Sequence, residues 1–475
     1  MGQAQATSQG RATTAAATSQ EHPQPSHPSS SPASSSGTGA PAEVPTNATL
    51  LPDDPAEPRP VLADPKVLTP VLMPGLVHQG GTNAAGSGGE PNIVVAADGT
   101  IYTHPVLPLY RSTDGGHTFV EASGSVTGVG DADIGTDAQG TLYRLGLTAS
   151  TPSMCDGEID FQISHDGGDT FTPALDISLG SGRDRQWLDV LPNGTLHTIW
   201  RDCHSRLVSR TSWDGGATWG PIVDIAADAP AGPIVHDPVH PERLYIAYPS
   251  QGVHIARSLD AGATWETGLV SPQTFGGFPF ETSVFPVAAV DTAGTVYVVW
   301  STSDPATASH VEKNLDIQAV FLVHSLDGGA SWSQPIRISE NGKDGRLPWI
   351  VAGKPGRVAI TWYQAQLGVR GADYLPEVWD VRLWESVTAD WPEPAFRSVV
   401  LMANDHYGSI CSGGITCEAF GDRSLFDFFE VTLNNQGQPV ATWSSDTLGY
   451  GEPSIDPVLD ANVYFGGLAD GTPLN

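Results

Sequence analysis

Basic residues are scarce in this 475-residue chain: Lys and Arg together number 22 against 53 Asp and Glu, a formal charge of −31. Nucleic-acid binding needs basic surface to neutralise phosphates, so this balance excludes it. Only four of the basic residues are lysines, a bias that fits genome composition or a salty niche. No run of 18 apolar residues occurs, which excludes a membrane-spanning helix. Long amphipathic helical patterns are missing as well. No Cys-x-x-Cys or Cys/His spacing supports a zinc site, and no metal or other cofactor is implied. What is abundant is 53 Gly and 39 Pro, the composition of many short strands joined by turns.

Cysteine is nearly absent, with four residues in all. Cys411 and Cys417 flank "SGGIT", a loop short enough to be clipped, and Cys155 and Cys203 sit at comparable points of adjacent repeats. Two disulfides and an oxidising, extracytoplasmic home are the expectation, a secreted or cell-surface protein; four buried free thiols are the other reading. Residues 1–68 are a tail or linker, and 1–60 are Ser, Thr, Ala, Pro and Gln with almost no large apolar side chain, expected to be disordered. No basic-then-apolar export signal precedes this tail, and "MGQAQA" fails the myristoylation pattern because Ala6 stands where Ser or Thr is needed. Removal of an export signal is expected.

Against these absences stands a repeat. "RSTDGGHTFV", "ISHDGGDTFT", "TSWDGGATWG", "RSLDAGATWE" and "HSLDGGASWS" share Ser-x-Asp-x-Gly-x-Thr/Ser-aromatic, beginning at Ser112, Ser164, Ser212, Ser258 and Ser325. Such a string builds a tight turn. Asp accepts backbone N–H groups, Gly permits positive φ, and the hydroxyl bonds back to the carboxylate. Each octamer is therefore a hairpin tip, and five of them at intervals of 46 to 67 residues are a repeat architecture.

A second element lies upstream of the octamers: an apolar strand, a polar turn ending in Gly, and another apolar strand. Its glycines are Gly99, Gly140, Gly194, Gly294, Gly356 and Gly437, and "PIVHDPVHPERLYIAY" fills the gap to make seven units. Six residues after the Gly stand Trp200, Trp300, Trp362 and Trp443, a spacing that predicts buried packing positions between units. The last unit is one strand short, and "TPVLMPGLVHQ" at 69–79 offers a spare strand that would close the ring and cover an open edge.

The octamer resembles the Asp-box (BNR) motif of sialidases, sortilin-type receptors, xyloglucan hydrolases and photosystem II assembly factors. That resemblance implies an all-β, seven-bladed β-propeller over 69–475, with the octamers at the blade periphery. "GDADIGTDAQGTLY", "DRQWLDV", "LPWIVAGKPGRVAITWY" and "CEAFGDRSLFDFFEV" resemble secreted bacterial BNR-repeat proteins labelled sialidase or glycosyl hydrolase. In a propeller the start of each first strand rims the central channel. This points to Glu90, Asn92, Asp131, Asp133, Arg183, Asp184, Arg185, Trp187, Phe285, Arg346, Trp349, Arg423, Asp427, Phe428 and Glu430. The Phe-Arg-Ile-Pro-type motif of sialidases is missing. A substitute set is Arg185, Arg346 and Arg423 as a carboxylate clamp, Asp133 as acid/base, and Tyr363 with Glu430 as nucleophile pair. Another glycosidase would need two carboxylates about 5–10 Å apart, from Asp131, Asp133, Asp427 and Glu430. Alternatively, Asp and Arg pair with one another and close the site.

The expectation is an extracytoplasmic sialidase-like propeller, an exo-glycosidase in type, that binds and hydrolyses a glycan or cell-surface glycoconjugate as a monomer. The alternative is a non-catalytic adhesion, protein-binding or assembly scaffold.

Overall fold

Apolar strands such as Val287–Val290 and Val296–Ser303 are separated by turns in which Gly takes positive φ, so each pair folds back as an antiparallel hairpin. The computed structural model describes residues 62–74, 89–105, 108–122, 124, 131–148, 157–227, 229–230, 232–272, 285–303, 317–367, 377–408, 410, 425, 427–445 and 462–475. The chain divides into Met1–Pro58 and the compact unit Arg59–Asn475, to which all described residues belong. These residues form seven four-stranded antiparallel sheets and no helix.

The innermost strands, blade 1 to blade 7, are Asn92–Val95, Ala132–Thr136, Gly182–Val190, Ile234–His236, Val287–Val290, Gly345–Ala352 and Glu430–Leu433. Each lies against its neighbours' innermost strands, and blade 7 returns to blade 1, giving the seven-bladed β-propeller. Blade 7 takes its fourth strand from the other end of the chain, with Val71 opposite Phe465 and Leu72 opposite Tyr464. The closure begins upstream of residue 69, because Val67 already bridges Leu468 and the Lys66 carbonyl accepts the Ala469 N–H at 2.8 Å.

Trp200, Trp300, Trp362 and Trp443 are fully buried, as their spacing requires. Trp443 donates its indole N–H to Asp405 of blade 6 at 3.0 Å, so it fastens two blades as well as filling the gap between them. Each octamer joins a third strand to an outermost one. In the register Val95–Ile101–Ser112 the octamer sits level with the far end of the innermost strand, so these turns lie at the opposite end of the blades from the channel mouth.

Cys203 is disulfide-bonded, while Cys155, Cys411 and Cys417 lie outside the described residues.

Candidate functional site

The turn glycines supply a common ruler for the channel mouth. Nine residues before them stand Glu90, Asp131, Arg185, Phe285, Leu347 and Phe428; seven before stand Asn92, Asp133, Trp187, Val287, Trp349 and Glu430. Blades 1 to 3 thus bring charge to the first level, and blades 5 to 7 bring apolar side chains. In blades 3 and 6 the innermost strand bulges: Asp184 to Trp187 spans only Arg201 to Ile199, after a further extra residue between Gly182 and Asp184, and Arg346 to Trp349 spans Tyr363 to Thr361. Such a bulge re-aims side chains, and it puts Arg185 and Leu347 at φ of 55° and 53°.

The aromatic half closes the axis. Trp187, Phe285, Trp349 and Phe428 come from four blades, and every pair among them has ring centroids between 4.9 and 6.2 Å apart. All four are buried. Rings from opposite sides of the propeller meeting at packing distance make a plug rather than an open pore at this level.

Arg185 lies on that plug, its guanidinium carbon 5.2 Å from the Phe285 ring centre. Its Nη2 pairs with Asp427 of blade 7 at 2.5 Å, and its Nε faces Asp184 at 4.0 Å. Its Nη1 is buried with no hydrogen-bond partner among the described residues. Burial works against the Arg185 charge, but Asp427, Asp184, Asp131 and Glu90 outweigh it and raise its pKa. Glu90, held at φ 51° and 3 % exposed, hydrogen-bonds Asp131. Burial first, then the Asp131 and Asp427 charges, push the Glu90 carboxyl well above the usual carboxylate range, toward its protonated form. Asp184 is the more open carboxylate, with 38 % of its side chain exposed; burial of the rest raises its pKa against the pull of Arg185.

Several expected site residues are committed elsewhere. Asp133 accepts the N–H groups of Ile134 at 2.8 Å and Leu188 at 2.7 Å, tying blade 2 to blade 3. Burial pushes its carboxyl up to about 7 despite those bonds. Glu430 accepts the Ile93 N–H at 3.0 Å, tying blade 7 to blade 1, and burial followed by the Asp133 charge raises its pKa. Both brace neighbouring innermost strands through these bonds. Arg346 is 1 % exposed and bonds both oxygens of Asp344, at 2.7 and 2.8 Å. The Tyr363 hydroxyl is fully buried and donates to the Ser444 carbonyl at 2.7 Å, so it is not free to act as a nucleophile. Arg183 turns to Ser205. Arg423 lies outside the described residues. The mouth brings together Glu90, Asp131, Asp184, Arg185 and Asp427 over Trp187, Phe285, Trp349 and Phe428. Glu90 stood in the sequence only as one rim residue among many; its nine-residue offset, shared with Asp131 and Arg185, was the signal that groups them.

The sequence matches no known family profile and no curated protein. Among solved structures, an α-L-arabinofuranosidase from Fusarium graminearum is similar with a TM-score of 0.43 and 13% identity, over 71% of this chain and 92% of that one. An α-L-arabinanase from Penicillium chrysogenum gives 0.41 and 14%, over 70% and 92%. A sialidase from Streptococcus pneumoniae gives 0.39 and 11%, over 80% and 68%. The seven-bladed ring rests on the strand pairing above and not on these likenesses.

Proposed function

We propose that this propeller binds glycans at the channel mouth and hydrolyses glycosidic bonds there, with Glu90 as the general acid. The observation that supports the reading is a buried carboxyl, Glu90, hydrogen-bonded to Asp131 and pushed toward its protonated form, within a group of carboxylates around Arg185 and over an aromatic floor. Glycoside hydrolysis needs a proton for the departing oxygen and a second carboxylate for the cationic transition state or for an attacking water. Glu90 supplies the first. Asp184, more exposed than Asp427, supplies the second: its Oδ1 accepts the Arg185 backbone N–H at 2.9 Å, while its Oδ2 stands 4.0 Å from the guanidinium.

A sialidase-type clamp would need Arg185, Arg346 and Arg423 to converge, and the engagement of Arg346 by Asp344 argues against it. We further propose an extracytoplasmic location, with Cys203 joined to Cys155. Gly157 bridges Gly182, and the Cys203 N–H bonds the Ser181 carbonyl at 3.0 Å, which brings the chain just after Cys155 alongside Cys203.

The test is a panel of fluorogenic glycosides together with a glycan array. Glu90→Gln is expected to lower kcat by about 10²–10⁴-fold on substrates with poor leaving groups, while retention on the array persists. Wild-type activity is expected to fall as pH rises through the Glu90 pKa, because only the protonated form donates. No turnover from pH 4 to 8 and no retention of any glycan would leave the scaffold reading in its place.

A further inference from the structure

We infer that the sugar held at this mouth is uncharged, and that carboxylated sugars are excluded from it. The inference rests on the glycan-binding reading above and narrows its substrate class.

Its first ground is the geometry of Arg185. A guanidinium grips a carboxylate through two parallel N–H bonds. On Arg185, Nη2 is taken by Asp427 at 2.5 Å, Nε faces Asp184, and Phe285 covers one face of the plane. Nη1 is the nitrogen left without a partner among the described residues, in a side chain 7 % exposed. One buried donor suits one acceptor, such as a sugar hydroxyl or ring oxygen, and an occupant there removes the cost of leaving that N–H unpaired.

Its second ground is charge. Asp427, Asp184 and Asp131 all act electrostatically on Arg185, the one arginine among the described residues of the mouth, beside a Glu90 pushed toward its neutral form. The arginine is already over-matched by carboxyls, so an incoming carboxylate meets a surplus of its own sign. The arginine that would have offset this, Arg346, is buried against Asp344. Like charges brought together in a desolvated site reject a ligand that would otherwise fit. Neutral hydroxyls avoid this repulsion and can donate to the same carboxylates.

The experiment measures binding of the full chain to an array of matched glycans, each neutral member paired with its uronic-acid or sialylated counterpart. The neutral member of a pair is expected to bind at least about tenfold more tightly, with added salt narrowing the difference as the repulsion is screened. Tighter binding of the carboxylated members, weakened by salt, would overturn the inference and leave glycan binding intact. Retention of neither kind would overturn both. Asp427→Asn removes one charge and weakens the hold on Nη2, and is expected to shift the preference toward carboxylated sugars by about tenfold. Asp184→Asn, at the more exposed position, is expected to shift it in the same direction and serves if the first variant does not fold. A folded variant of either kind with unchanged preference would count against the repulsion and sink the proposal.

Discussion

Within the octamer turns the hydrogen bonds divide unequally between Ser and Asp. In the third repeat Ser212 Oγ accepts the buried N–H of Gly216 at 2.8 Å and donates to Asp214 Oδ1 at 2.9 Å. Asp214 accepts the Thr218 N–H at 2.8 Å and its hydroxyl at 2.6 Å, both at the exposed edge of the turn. Water can replace the Asp214 bonds but cannot reach Gly216. Ser212→Ala is therefore expected to cost about 1–3 kcal/mol, the penalty for a buried unpaired donor, and Asp214→Ala distinctly less. Urea denaturation of the two variants checks the order; a larger loss for Asp214→Ala would reverse the assignment. The spacing alone made Asp the centre of the turn, and burial moves that weight to Ser. Gly216 is needed twice over, because its φ is 86° and a Cβ there would lie 2.3 Å from Phe161 of the preceding blade.

Between strands, the blades are joined by side chains that reach from one innermost strand to the next. Asp133, Glu430 and Asn92 do so through backbone groups. Blades 3 and 4 use an ion pair, Asp189 with His236 Nδ1 at 2.8 Å. The Asp189 charge raises the His236 pKa, burial opposes it, and Asp237 adds to the rise. His197, the other imidazole facing this pair, is pushed down to about 4 by burial and stays neutral. A histidine whose folded pKa is raised contributes stability fully below its unfolded value, about 6.5, and loses it as pH rises through the folded value. Melting temperature is thus expected to fall between pH 6 and 8.5 in the wild type, and His236→Gln should show a smaller fall. Parallel curves for the two proteins would remove this pair from the account. Nothing in the sequence pointed to it, since neither residue belongs to a repeated position.

For the whole ring, stability depends on joining the two ends of the chain. Leu68 N–H bonds the Gly467 carbonyl at 2.8 Å and Met73 N–H the Val463 carbonyl at 2.9 Å, while Met73 itself is buried. At the other end Leu474 N–H bonds Gly437, and its carbonyl accepts from Lys354 of blade 6. Deleting residues 1–74 removes the outer partner of Asn462–Gly467 and leaves an open strand edge. The truncated protein is expected to melt at lower temperature and to associate. Calorimetry with light scattering tests this, and an unchanged monomer of unchanged stability would show that the closing strand is dispensable.

The sequence by itself determined what is local and repeated. Turn chemistry, the glycine ruler, the buried tryptophans and the count of seven units all depend on residues a few positions apart, whose energetics the chain carries wherever it goes. It also named the mouth, since the residues there stand nine or seven positions before a turn glycine, apart from Asp184 and Asp427, which stand ten before theirs. Which charges meet was decided only by the tertiary structure. Arg185 chooses Asp427, 242 positions away, over its neighbour Asp184, while Arg346 turns to Asp344 two residues back. Pairing of buried charges is set by distance and desolvation, and both exist only once the ring has closed.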